Sequence, residues 1–154
     1  DPKPLVDFSA SELNSNGWWH FPHFWYRERV EGETAGGRVS VDFFYIDTMV
    51  WKQSAETEVF LGADGESMHR SQKEWLEREL GSSSADWKAV LGHHPLYGKG
   101  PHASGAYEDM ADLNTLLRSK GVALYVNGHN HNLQAIQHRG VTYVTSGNGC
   151  QLDC

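Results

Sequence analysis

Two short stretches hold the residues best suited to chemistry: Val90-Leu91-Gly92-His93-His94-Pro95 and Val126-Asn127-Gly128-His129-Asn130-His131. Each follows a short apolar run, Lys88 to Leu91 and Val122 to Val126, so each is predicted as a strand ending in a glycine turn that delivers imidazoles. The carboxyl edge of strands in open α/β sheets is where ligands bind. Imidazole is a common ligand for zinc, iron and manganese. Two imidazoles from one turn and one from a neighbouring strand would converge on a small volume, which is half of a metal site.

The intervening elements must bring the two stretches together. Tyr107 to Lys120 carries Met110, Leu113, Leu116 and Leu117 at helical spacing, with Gly121 as its stop. A right-handed crossover through that helix makes the two histidine-bearing strands parallel neighbours, or near neighbours. Upstream, Phe24 to Val30 and Val39 to Ile46 alternate as strands of a hairpin, with Glu31 to Gly37 as the turn. Residues 49 to 67 lose periodicity and are expected to form a surface loop, followed from Met68 by a helix with Trp75, Leu76 and Leu80 on one side and Gly81 as its stop. Leu133 to Gln137 and Val141 to Thr145 form a closing hairpin with His138 exposed at its tip. The aromatic cluster Trp18, Trp19, Phe21, Phe24, Trp25 and Tyr26 is expected to fill core between two sheets; the other reading is a wall for an aryl or nucleoside leaving group. His20 and His23 are expected to serve strand packing, and His69 to be an exposed helix residue.

Gly92-His93-His94-Pro95 and Gly128-His129-Asn130-His131 resemble the last two signature blocks of the binuclear metallophosphoesterases, and their spacing is most similar to that of the purple (tartrate-resistant) acid phosphatases. The resemblance extends to Val41 to Thr48, similar to a central strand ending in Asp-Thr, to Gln72-Lys73-Glu74-Trp75-Leu76, to Asn132-Leu133-Gln134 and to Ser146-Gly147-Asn148-Gly149. It covers most of the chain. The family's upstream blocks, an Asp-x-Gly, a Gly-Asp-x-x-Tyr and a Gly-Asn-His, have no counterpart here. The resemblance therefore implies that residues 1–154 are the C-terminal half of a four-layer α/β/β/α sandwich with two mixed sheets, partnered by an N-terminal half that brings the remaining ligands.

It also implies roles. His93 and His129 would bind an exchangeable divalent ion, and His131 a second, ferric ion. The cofactors would be two metal ions, Fe3+ plus Fe2+, Zn2+ or Mn2+. His94 stands at a position that varies in the family, and as a residue it is expected to be a packing histidine capped by a backbone group. His102, in the Gly- and Pro-rich loop Leu96 to Gly105, stands where the family carries a histidine that reaches the substrate; a loop histidine by itself is ordinarily only solvated. The corresponding loop over Thr48 to Ser67 would restrain activity until clipped, or would simply connect. The implied reaction is hydrolysis of phosphate monoesters. Phosphodiester or nucleotide hydrolysis on the same site is the alternative, and a half that keeps its histidines only to bind or regulate is another.

Composition sets bounds on partners. With 39% hydrophobic and 12% aromatic residues, 154 residues can bury a core. Thirteen Lys plus Arg against 20 Asp plus Glu give −7, which argues against a nucleic-acid footprint or an anionic membrane surface. An anionic phosphate ester would then need positive charge supplied locally by metals. No apolar run approaches the roughly 18 residues of a membrane span. Cys150 and Cys154 could close a small disulfide loop, pair elsewhere or, less readily, ligate metal; disulfide chemistry would fit a secreted or lysosomal/vacuolar setting.

Overall fold

The computed structural model describes residues 3–52, 65–100, 103–106 and 110–149, with 103–106 described by backbone pairing alone. After a short exposed helix α1 (Lys3–Ser9) come β1 (Tyr26–Thr34) and β2 (Gly37–Tyr45), helix α2 (Gly65–Ser82), β3 (Trp87–Leu91), a small hairpin of β4 (Tyr97–Gly100) and β5 (Ala103–Ala106), helix α3 (Ala111–Ser119), β6 (Leu124–Asn127), and the closing pair β7 (Leu133–His138) and β8 (Val141–Ser146). Six strands form one mixed sheet in the order β1-β2-β3-β6-β8-β7, with β4-β5 as a separate two-stranded sheet. The fold is mixed α/β, as the motif pattern predicts. β2, β3, β6 and β8 run parallel, and β1 and β7 close the edges antiparallel.

The register explains the core. Phe44, Val90, Tyr125 and Tyr143 align in one row across the four parallel strands. All four are buried together with Leu76 and Leu80 of α2 and Leu113, Leu116 and Leu117 of α3 in a single cluster. Each leucine removed from water contributes roughly 1.5–3 kcal/mol. The next row, Tyr45, Leu91, Val126 and Val144, projects to the opposite side because side chains alternate along a strand. Its members are only half-buried.

Several expectations shift. The first hairpin turn is Ala35-Gly36, not Glu31 to Gly37, since Thr34 pairs with Gly37. Near that turn, from Arg29 to Thr34 and at Gly37 and Arg38, the ribbon is exposed on both faces, and a doubly solvated ribbon has no apolar alternation to mark it. Val50 and Trp51, expected on a loop, are buried at 3% and 1% exposure. The Trp51 indole N–H donates to Gln72 Oε1 at 2.7 Å. Helix α2 starts at Gly65 and passes through Gly81, while His69 packs edge-on to Trp51 and is half-buried. Gly121, at φ +66, does terminate α3, with its N–H on the Arg118 carbonyl. The aromatic cluster does not fill core: Trp18 is 88% exposed, and Phe21, Phe24, Trp25 and Tyr26 are half-buried. His20 meets Glu28 at 2.9 Å, and the His23 ring packs on Trp25.

Candidate metal centre

β3 and β6 are adjacent and parallel, with Leu91 level with Val126, so their carboxyl ends release the two glycine turns side by side. The turns are stitched directly: Gly92 N–H donates to the Val126 carbonyl at 3.0 Å, and Gly128 N–H to the His93 carbonyl at 3.1 Å. Gly92 admits no side chain. A Cβ there would lie 2.5 Å from Thr48 Cγ2 and 2.7 Å from the Tyr125 hydroxyl oxygen. Gly92→Ala should therefore cost about 1–3 kcal/mol by overpacking and spread the two turns, measurable as a lower Tm together with weaker metal binding. Unchanged values would show that the turn yields freely.

The turns bring His93, His94 and His129 together, each with a ring nitrogen within 4.8 Å of the others. His93 Nε2 and His129 Nδ1 are 3.3 Å apart. With metal–nitrogen bonds of about 2.0–2.1 Å, two ligands of one tetrahedral ion stand about 3.3 Å apart, so this pair fits a shared cation. Burial lowers the pKa of His93, with a smaller contribution from His131. Burial, then His129, His93 and Lys52, lowers that of His94 to about 3. Neutral imidazoles are the form that binds metal.

His131 lies outside the group of three but close enough to His93 to act on its charge, and its Nδ1 is buried. The connecting His129 adopts φ 65, a left-handed turn. Asn127 secures the start of that turn: its amide donates to the Gly128 carbonyl at 2.9 Å and to Thr145 Oγ1 at 3.1 Å. Asn130 is wholly buried, and a Cβ on Gly147 would collide with its carbonyl oxygen. His102, Cys150 and Cys154 lie outside the described residues, as does most of the proposed restraining loop.

The sequence marks Thr48 only as the end of a strand. Thr48, 1% exposed, sits against the first of the two turns and contacts both His93 and His94. His94 thus meets a side-chain hydroxyl at its ring nitrogen where a backbone cap was expected, while its carbonyl accepts from Tyr125 Oη at 2.6 Å. Beside His93 opens a cleft of about 480 Å³ lined by Phe21, Phe24, Tyr45, Ile46, Asp47, Leu91, Gly92 and His93. Burial raises the pKa of Asp47.

The model of the family described as calcineurin-like phosphoesterase matches residues 7–133. The chain belongs to that phosphoesterase family. It is 33% identical over 141 residues to tartrate-resistant acid phosphatase type 5 of Homo sapiens, covering 88% of this chain and 42% of that protein. It is 34% identical over 122 residues to purple acid phosphatase 17 of Arabidopsis thaliana, covering 71% and 35%. Among solved structures it is similar to GAP50, the anchor in the inner membrane complex of Plasmodium, with TM-score 0.72 and 25% identity over 93% of this chain and 45% of that one. The chain thus spans less than half the length of these phosphoesterase relatives. No helix among its described residues is long and apolar enough to cross a membrane.

Proposed function

We propose that the chain supplies one half of the binuclear metal site of an acid-phosphatase-type phosphomonoester hydrolase. The observation that carries this reading is the 3.3 Å approach of His93 and His129 from adjacent parallel strands, in a chain of this family. In it, His93 and His129 hold a divalent ion, Fe2+, Zn2+ or Mn2+, and His131 reaches a second one, Fe3+. Such a pair of ions, when bound, supplies positive charge for the phosphoryl oxygens and an activated water. The chain's own contribution is to hold those imidazoles together at the carboxyl edge of its sheet. His102 would contact the phosphoryl group or protonate the departing alcohol.

The half-buried row Tyr45, Leu91, Val126 and Val144 supports the partnership. An apolar sheet face of this kind is what a second sheet packs upon, and we assign that role to the N-terminal half of the phosphoesterase domain, which would also bring the remaining ligands. A small phosphate ester is then the substrate, in a secreted or lysosomal/vacuolar setting. A second reading, a half that binds without catalysing, is favoured by the similarity to GAP50, named as an anchor. Elemental analysis and a phosphatase assay on residues 1–154, with and without the N-terminal half, separate the two. Metal uptake and turnover only with both halves support the first. Metal-free, inactive protein in both states supports the second. His138 stacks on Tyr97 at 4.4 Å at the far end of β7, so His138→Ala should leave the restored activity within about twofold, a change below 0.5 kcal/mol.

A further inference from the structure

The three clustered histidines are not equivalent, and the difference is set by one hydroxyl. Thr48 Oγ1 lies 3.2 Å from the backbone nitrogen of His93, 3.0 Å from that of His94, and 2.8 Å from His94 Nδ1. Both backbone groups can only donate, and together they fill the two lone pairs of the hydroxyl oxygen. What remains to Thr48 is its own O–H, which must be given to His94 Nδ1. That nitrogen is therefore an unprotonated acceptor. An imidazole that accepts at Nδ1 carries its proton on Nε2.

A nitrogen bearing a proton has no lone pair for a metal, but it is a good donor to an anionic oxygen. The rest of the cluster agrees: His93 and His129 already approach one another at ligand spacing, while the ring of His94 lies against both, at centroid distances of 5.0 and 4.7 Å. The Thr48 contact at Nδ1 and the 6% exposure of His94 leave the ring little freedom to turn over.

We propose that His94 is not a metal ligand but a neutral Nε2–H donor to the phosphoryl oxygens of the substrate, with its tautomer fixed by Thr48. This rests on the phosphoester reading above, and adds a substrate-binding residue to it. Thr48 is then a positioning residue, acting through His94.

The test uses the whole protein loaded with zinc, with inorganic phosphate as the probe. Long-range 1H–15N spectra should show the His94 ring as the Nε2–H tautomer. His94→Leu should keep the full metal content but bind phosphate about tenfold more weakly, the loss expected for one hydrogen bond to a charged group. His94→Gln, which places an amide donor near the Nε2 position, should recover most of that loss. Thr48→Val should release the tautomer and weaken phosphate binding without removing metal, and Thr48→Ser should restore both. An Nδ1–H tautomer, a metal equivalent lost in His94→Leu, or unchanged phosphate affinity in that variant would each overturn the assignment. A wild-type protein that binds metal and phosphate yet hydrolyses no phosphoester would sink the hydrolytic reading alone, because tautomer, metal content and phosphate affinity still judge His94.

Discussion

Replacing His129 by alanine should remove the divalent metal and lower kcat/KM by at least about 10³-fold, because losing that cation forfeits several kcal/mol of transition-state stabilisation at about 1.36 kcal/mol per tenfold. The alanine variant carries a complication that the backbone makes explicit. His129 sits at φ 65, where an L-residue with a Cβ pays roughly 1–2 kcal/mol. His129→Gly deletes the same imidazole and relieves that conformation. If both variants lose the metal, as measured by elemental analysis, and lose activity to the same degree, the loss belongs to the imidazole. If glycine restores metal binding, the residue acts through its turn and the ligand assignment fails. His93→Ala should behave like His129→Ala, since the two nitrogens share one 3.3 Å edge.

How far the sequence reaches can be judged from these same residues. The histidine-bearing strands were legible because each is a short apolar run ended by a glycine and followed by residues of unusual chemistry. Their parallel adjacency followed from the helix between them. The contacts of Thr48 were not legible: they reach residues 45 and 46 positions away, and no local periodicity records a hydroxyl that will end up against a distant turn. Trp51 escaped for a related reason. It lies in a segment without pattern, and its burial depends on Gln72 offering an acceptor from α2. The turn end of the β1–β2 ribbon shows the reverse failure, where backbone pairing persists after the hydrophobic signal has stopped. For the aromatics from Trp18 to Tyr26 the sequence offers residue type alone, and type cannot say whether a second surface is present to cover them.

Asp42 shows how a buried charge can support the site from a distance. It shares a face of β2 with Phe44 and is fully buried. Its carboxylate accepts from Arg27 at 2.6 Å, from Arg29 at 2.8 and 2.9 Å, and from Ser83 at 2.5 Å. Arg27 goes on to Glu79, and Arg29 to Ser84. The carboxylate thus ties the edge strand β1 and the turn between α2 and β3 to the strand whose end delivers Asp47 and Thr48. Asp42→Asn would aim an amide N–H₂ at donors only and leave two guanidinium groups short of an acceptor. Breaking a buried pair from one side costs about 3–5 kcal/mol. Arg27 and Arg29 keep 23% and 34% of their side-chain surface exposed, so water softens the loss and about 3 kcal/mol is expected, or roughly 6–12 °C in Tm at 2–4 °C per kcal/mol.

The pH dependence provides the sharper check. Hydrogen bonds from Arg29 act first, with Ser83 and Arg27 adding to them, to hold the Asp42 carboxyl well below the usual range against the opposing effect of burial. A group depressed in the folded state contributes fully above its unfolded pKa of about 3.9, and the contribution disappears as pH falls from there toward the folded value. The Tm gap between wild type and Asp42→Asn should therefore be constant from neutral pH down to about 5 and shrink below about 4. Asp86, also depressed by its hydrogen bonds to Ser40, titrates in both proteins and cancels in the difference. A gap that stays constant down to pH 3 would mean that shape, and not charge, is what Asp42 supplies.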